Sequence, residues 1–133
     1  MAMTNIVIND GATTPVSHTF TPQTGQSART GFAQWFEKLA TKSAQAWPEI
    51  KTRVTLAEKP GQEHVSTLHL SIPAVSVVDG AEVLIGATRF FVTAITPYNL
   101  NSEDAAKANF GLLKNALAHA EATGVFVTQK PSQ

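Results

Sequence analysis

Four histidines, ten carboxylates and ten basic side chains supply most of the reactive groups of this chain, and chemistry would require some of them at a working spacing. His64 and His69 stand close together, but no third or fourth ligand follows at a spacing that closes a metal site. No metal is expected. His18 and His119 have no chemical context in the sequence. Ser, His and Asp all occur, yet no GxSxG, Walker loop or HExxH is present. Cysteine is absent, which removes disulfides, a thiolate nucleophile and thiolate metal sites. The chain reads as a non-enzyme, with no catalytic residue, no cofactor and no small-molecule substrate.

One grouping of polar residues remains. Residues 53–73, RVTLAEKPGQEHVSTLHLSIP, place Val54 and Leu56 on one side and Arg53, Thr55, Ala57 and Lys59 on the other. Further on, Leu68, Leu70 and Ile72 oppose Thr67, His69 and Ser71. Alternation with period two marks half-buried antiparallel strands. The joint, Lys59-Pro60-Gly61-Gln62, puts proline where φ is fixed and glycine where φ must be positive, a type II turn. The product is a β-hairpin with one apolar face and one face of hydroxyl, imidazole and cationic groups. Arg53, Lys59 and, further on, Arg89 suit phosphate contacts; Thr55, Thr67 and Ser71 suit bases or phosphates. A solvated face with scattered charge has the same appearance, and threonine favours strands for its own reasons. Phe91 suits base stacking, although a strand phenylalanine is more often core.

The surrounding elements must position these groups. Residues 5–10 and 16–20 alternate about Asp10-Gly11 and predict an N-terminal hairpin over 5–20. Residues 21–30 read as a loop. In residues 31–39, Phe32, Trp35, Phe36 and Leu39 have helical spacing while the aromatics suit a strand, so both assignments stay open. Residues 40–47 permit a helix, which Pro48 ends; Trp35 and Trp47 read as core or subunit-contact residues. Val78, Asp79, Gly80 and Ala81 form another turn, between extended arms at 75–78 and 82–85. Residues 88–96 are a strand, rich in β-branched and aromatic side chains. Asn101 or Ser102 can cap a helix whose first turn carries Glu103 and Asp104. Its apolar stripe is Ala106, Phe110, Leu113, Leu117 and Ala120. Gly124 ends it, residues 125–127 are a short apolar tail segment, and residues 130–133 are loose.

At 133 residues the chain suits one domain, with a main sheet over 31–97 and a helical region over 101–123. Acidic and basic counts are equal, for a formal net charge of +0, which argues against general coating of polyanions but leaves room for a local basic patch. No apolar run approaches the ~18 residues of a membrane span and no signal peptide is evident, so no membrane partner is expected and a cytoplasmic setting is. Size also speaks to assembly. A helix is about 10 Å across and strands lie about 4.8 Å apart, so one helix covers about two strands. A sheet of five or more strands would stay partly uncovered, and large exposed apolar patches are rare on monomers. An obligate dimer, with each helix laid over a joined sheet, resolves this.

Four stretches in this order resemble the coat proteins of the small single-stranded RNA bacteriophages, the leviviruses. They are NIVINDGATTPVSHTF, GFAQWFEK, the hairpin ending in Pro73, and TRFFVTAITPYNLNSEDAAKANFGLLKNAL. The resemblance spans most of residues 5–127 and rests on order and spacing rather than on one motif. It implies an α+β fold: an N-terminal β-hairpin, an antiparallel multi-stranded sheet and a C-terminal helix, interlocked as a homodimer with the helices on one sheet face. It implies dimers that assemble into an icosahedral shell around single-stranded genomic RNA, in a virion put together in the bacterial host cytoplasm. Binding of an operator hairpin, with translational repression, is also implied. Positions matching the family's RNA-contacting sheet residues are Arg53, Thr55, Ala57 and Lys59; then Val65, Thr67, His69 and Ser71; then Arg89, Phe91 and Thr93. The helix residues Phe110, Leu113 and Leu117 would form the dimer interface, and Val78 to Ala81 the loop between dimers.

The sequence also departs from the family pattern. The stretch between Trp35 and Val54 is longer, and the Pro60-Gly61 turn is shorter. His69 stands where a basic residue is frequent, and the base-stacking tyrosine is missing, with Arg89 or Phe91 nearby. These differences bear more on hairpin recognition than on shell assembly. Without the resemblance, the residues alone also suit a small dimeric α+β module that binds a ligand or partner and builds no shell.

Overall fold

The structure is a computed structural model describing residues 3–26, 31–100 and 102–129. Six strands pair antiparallel in chain order: β1 (Ile6–Asn9), β2 (Ser17–Thr24), β3 (Ala33–Phe36), β4 (Glu49–Thr55), β5 (Glu63–Val78) and β6 (Ala81–Pro97). Two helices follow, α1 (Glu103–Ala118) and α2 (Ala120–Val127).

The first half of β2 pairs with β1 and its second half with β3. That second half lies in the stretch expected to be a loop: Pro22 is tolerated beside an irregularity in the register between Pro22 and Thr24. The β1–β2 connection is wider than a tight Asp-Gly turn. The Asp10 carboxylate organises it by accepting from the backbone N–H groups of Ala12 and Val16 at 3.1 and 3.0 Å.

The ambiguous aromatic stretch resolves as β3, a strand of four residues, and the helix-permissive stretch keeps only a 3-10 turn at Ala44–Ala46. Cross-strand pairing wins because Trp35 faces Ile50 and Ala33 faces Thr52, which gives the apolar side chains a surface that an isolated short helix lacks. The Trp35 indole N–H donates to the Thr4 carbonyl at 2.9 Å, anchoring the N-terminal segment. Alongside β4 beyond the start of β3, the Gln26 amide continues the ladder: it donates to the Val54 carbonyl and accepts from the Val54 N–H at 2.8 and 2.9 Å.

The Lys59–Gln62 turn has the expected form, with Gly61 at φ 90° and the Gln62 N–H donating to the Lys59 carbonyl at 3.2 Å. Strand β4 ends at Thr55, however, so Leu56, Ala57 and Lys59 lie beyond the sheet. The arms flanking Asp79-Gly80 are no separate hairpin. They are the far ends of β5 and β6, which run 16 and 17 residues, about 55 Å at the usual strand rise. Asp79 and Gly80, at φ 53° and 80°, form the two-residue turn that such a hairpin favours. One extra residue, Ile85, bulges where the register shifts opposite Ala74 and Val75.

Ser102 caps α1, its hydroxyl accepting from the Ala105 N–H at 3.4 Å. The helix breaks earlier than expected. His119 is extended, closing α1 and capping α2 with its ring nitrogen on the Glu121 N–H at 3.3 Å. Gly124 therefore lies inside α2, and Val125 and Phe126 are helical rather than tail. Asn101, the other expected cap, and residues 27–30 and 130–133, read as loop and loose tail, lie outside the described residues.

The core lies wholly in the N-terminal half: Phe20, Ala33, Ala46 and Ile50 are the buried apolar residues among those described. Neither helix has a buried residue.

Candidate nucleic-acid interface

Antiparallel register decides which side chains share a face, because directly paired residues point the same way. Strand β4 pairs Arg53 with Thr67, Lys51 with His69 and Glu49 with Ser71. Strand β5 in turn pairs Thr67 with Thr93, His69 with Phe91 and Ser71 with Arg89. Three rows result across the same face: Arg53-Thr67-Thr93, Lys51-His69-Phe91 and Glu49-Ser71-Arg89. A fourth, Thr55-Val65-Ile95, adjoins them. Nine of the eleven positions matched to the family's RNA-contacting residues thus share this face, all but Ala57 and Lys59, which lie beyond the end of β4. Leu68, Leu70, Phe90 and Val92 occupy the opposite face.

The rows are knitted by rings. His69 meets Phe91 edge-on with centroids 4.6 Å apart, and Phe32 tilts against the other side of His69 at 5.4 Å. The Arg53 guanidinium lies 4.5 Å from the centre of the Phe32 ring, a contact that restrains a cation which also suits a phosphate. Phe91 is 64% exposed, so it is a surface ring and not core. Lys51 pairs with Glu49 at 3.0 Å, and both line a cavity of about 350 Å³ with His69, Ser71, Arg89 and Phe91. A ring and two cations around a small polar hollow can stack a base and hold its phosphate.

Lys51, Glu49 and Phe32 were missed by the sequence reading. The alternation begun at Arg53 runs backwards through Lys51 to Glu49, so that signal was available. Phe32 carried no such signal, because its role depends on the path of the chain before β3. His64 and His69 fall on opposite faces of β5, and among the described residues no group of three histidine or acidic side chains could hold a metal. His64 is buried instead, accepting the Ala57 N–H at 2.9 Å beside Tyr98.

Residues 1–131 match the family described as levivirus coat protein. The chain belongs to that family. Its family is one of structural capsid proteins rather than enzymes, and the six-stranded sheet with C-terminal helices is the coat-protein fold. Solved structures agree on the architecture. A virus-like particle of bacteriophage NT-214 is 22% identical with a TM-score of 0.87, and each chain is covered completely. A virus-like particle of bacteriophage ESE058 is 19% identical with a TM-score of 0.85, again over both whole chains. The capsid protein of bacteriophage GA is 16% identical with a TM-score of 0.66 over 93% of each chain. No curated protein sequence matches the coat protein.

Proposed function

We propose that this coat protein dimerises, that the dimers close into an icosahedral shell, and that the rowed polar face looks inward onto single-stranded RNA. The observation that carries the reading is the open apolar side of the C-terminal half. Leu68, Ile72 and Phe90 on the sheet are exposed, as are Phe110, Leu113 and Leu117 on α1. Strand β6 is a sheet edge of 17 residues paired only with β5, and a long edge invites a further strand. Two copies joined edge to edge, each laying α1 over the other's sheet, cover both surfaces together. The Val78 to Ala81 turn, with exposed Val77 and Val78 at its flank, would then reach neighbouring dimers.

On the opposite face Arg53, Lys51 and Arg89 supply phosphate contacts, each releasing counterions, while Phe91 and His69 supply surfaces for bases. An operator hairpin at the replicase start, whose capture represses translation, is a narrower ligand of the same face. The protein catalyses nothing and works as part of the virion, assembled in the host cytoplasm.

Purified recombinant protein tests this through size-exclusion chromatography, absorbance at two ultraviolet wavelengths and negative-stain imaging. Uniform spheres with nucleic-acid absorbance are expected. A dimer with nothing larger, free of RNA in mild buffer, would replace this reading with that of a small binding module.

A further inference from the structure

His18 is held between two carboxylates. Its Nδ1 lies 2.7 Å from Glu37 Oε2 and its Nε2 lies 3.2 Å from Asp10 Oδ2. A neutral imidazole has one N–H and one lone pair, so a neutral ring would turn a lone pair toward an ionised carboxylate on one side. Only the imidazolium donates to both. The two partners belong to different parts of the fold. Asp10 is the residue that organises the β1–β2 connection, and Glu37 is a buried residue just past β3 whose backbone N–H donates to the Pro48 carbonyl at 3.0 Å. One ring therefore ties the tip of the N-terminal hairpin to the main sheet. The three groups stand at the rim of a cavity of about 300 Å³, whose apolar lining comes from Ile8 and Phe20 of the hairpin and Pro48, Leu70 and Ile72 of the sheet side.

We propose that His18 is a proton-operated latch: as an imidazolium it clamps the N-terminal hairpin against the apolar side of the sheet, and loss of the proton lets the hairpin lift. The titratable groups facing the ring are Asp10 from the β1–β2 connection and Glu37 from the end of β3; Asn9 and the apolar residues around the same cavity carry no charge. Its hydrogen bonds to the carboxylates of Asp10 and then Glu37 raise the His18 pKa above its ordinary 6.5. The sign follows. A raised histidine pKa contributes stability that is complete below 6.5 and disappears as pH climbs through the raised value. Asp10 has the opposite dependence: the N–H groups of Val16 and Ala12, then His18, hold its pKa below 3.8, so its contribution fades only in stronger acid. The latch is closed between these limits. Above 6.5 the hairpin's opening constant rises by up to about tenfold per pH unit until the raised pKa is passed.

Hydrogen–deuterium exchange of the purified full-length protein, followed in peptides covering residues 6–20, tests this at about pH 5.5 and about pH 8.5, on either side of histidine titration. After correction for the intrinsic pH dependence of exchange, protection of the hairpin should fall at the higher pH in the wild type. In His18→Gln it should be the same at both. Equal protection of the wild type at both pH values, or a pH dependence that survives in His18→Gln, overturns the proposal. Should that variant fail to fold, Glu37→Gln serves: it keeps the side-chain shape, removes one charge, and must move the midpoint of the transition to lower pH. An unmoved midpoint overturns the latch.

Discussion

Up to the end of β4 the coat protein buries Phe20, Ala33, Ala46 and Ile50 within one chain, whereas β5, β6 and both helices bury only His64. The two regions are similar in apolar chemistry. They differ in what covers them: the first folds upon itself through the hairpin and the indole of Trp35, while the second spreads a long two-stranded ribbon, lays Phe126 against Phe90 at 6.3 Å and leaves an open cavity between Leu113 and Leu117 of α1 and Leu68 of the sheet. The lesson is that one half is completed by its own chain and the other, on the proposed reading, by a second copy. Substitutions in the two halves should therefore fail in different ways.

The largest effect belongs to the helix stripe. Phe110→Asp combined with Leu113→Asp places charge where the proposed partner sheet lies, and charges at such a buried site go unpaired. No particle and no dimer should be recovered by size-exclusion chromatography; particles of normal size would break the comparison. Ile50→Ala comes next. It empties part of the finished core and should cost about 2–5 kcal/mol, seen as a lower thermal midpoint. Its loss should not depend on protein concentration in disassembled samples, while that of Phe110→Ala should.

Arg53→Ala with Arg89→Ala leaves both halves folded. It should lower the RNA content of purified particles and reduce the salt slope of RNA binding by about 1.4, roughly 0.7 for each lost phosphate contact on a single strand. Unchanged RNA content and slope would mean that this face is only solvated. The smallest effect is expected for Ser102→Ala. Its capping bond is long, 3.4 Å, so the loss should be about 0.5 kcal/mol, read in the same thermal melts.

The sequence made the polar face legible because alternation is a local signal: Arg53, Thr67, His69 and Ser71 declare their side by parity alone. The same parity placed Phe91 and Arg89 correctly once β6 was recognised as a strand. Lys59 was misplaced because alternation does not say where a ladder stops; β4 ends at Thr55, and the Ala57 N–H turns to His64 instead. The aromatic stretch at 32–39 has helical spacing, and only its pairing with β4 makes it a strand. The His119 break was hidden for a similar reason, since nothing in the local sequence outweighs the helical stripe that runs through it. The His18 latch was invisible, because Asp10, His18 and Glu37 meet only through the pairing of β2 with its two neighbours.

Single-particle cryo-electron microscopy of the purified particle tests the central claim most directly. The account predicts α1 of one copy lying over Leu68 and Phe90 of another, β6 paired edge to edge, and the Arg53–Phe91 face turned to the lumen beside nucleic-acid density. A particle with the helices inside, or with the rowed face outside and away from that density, would contradict it.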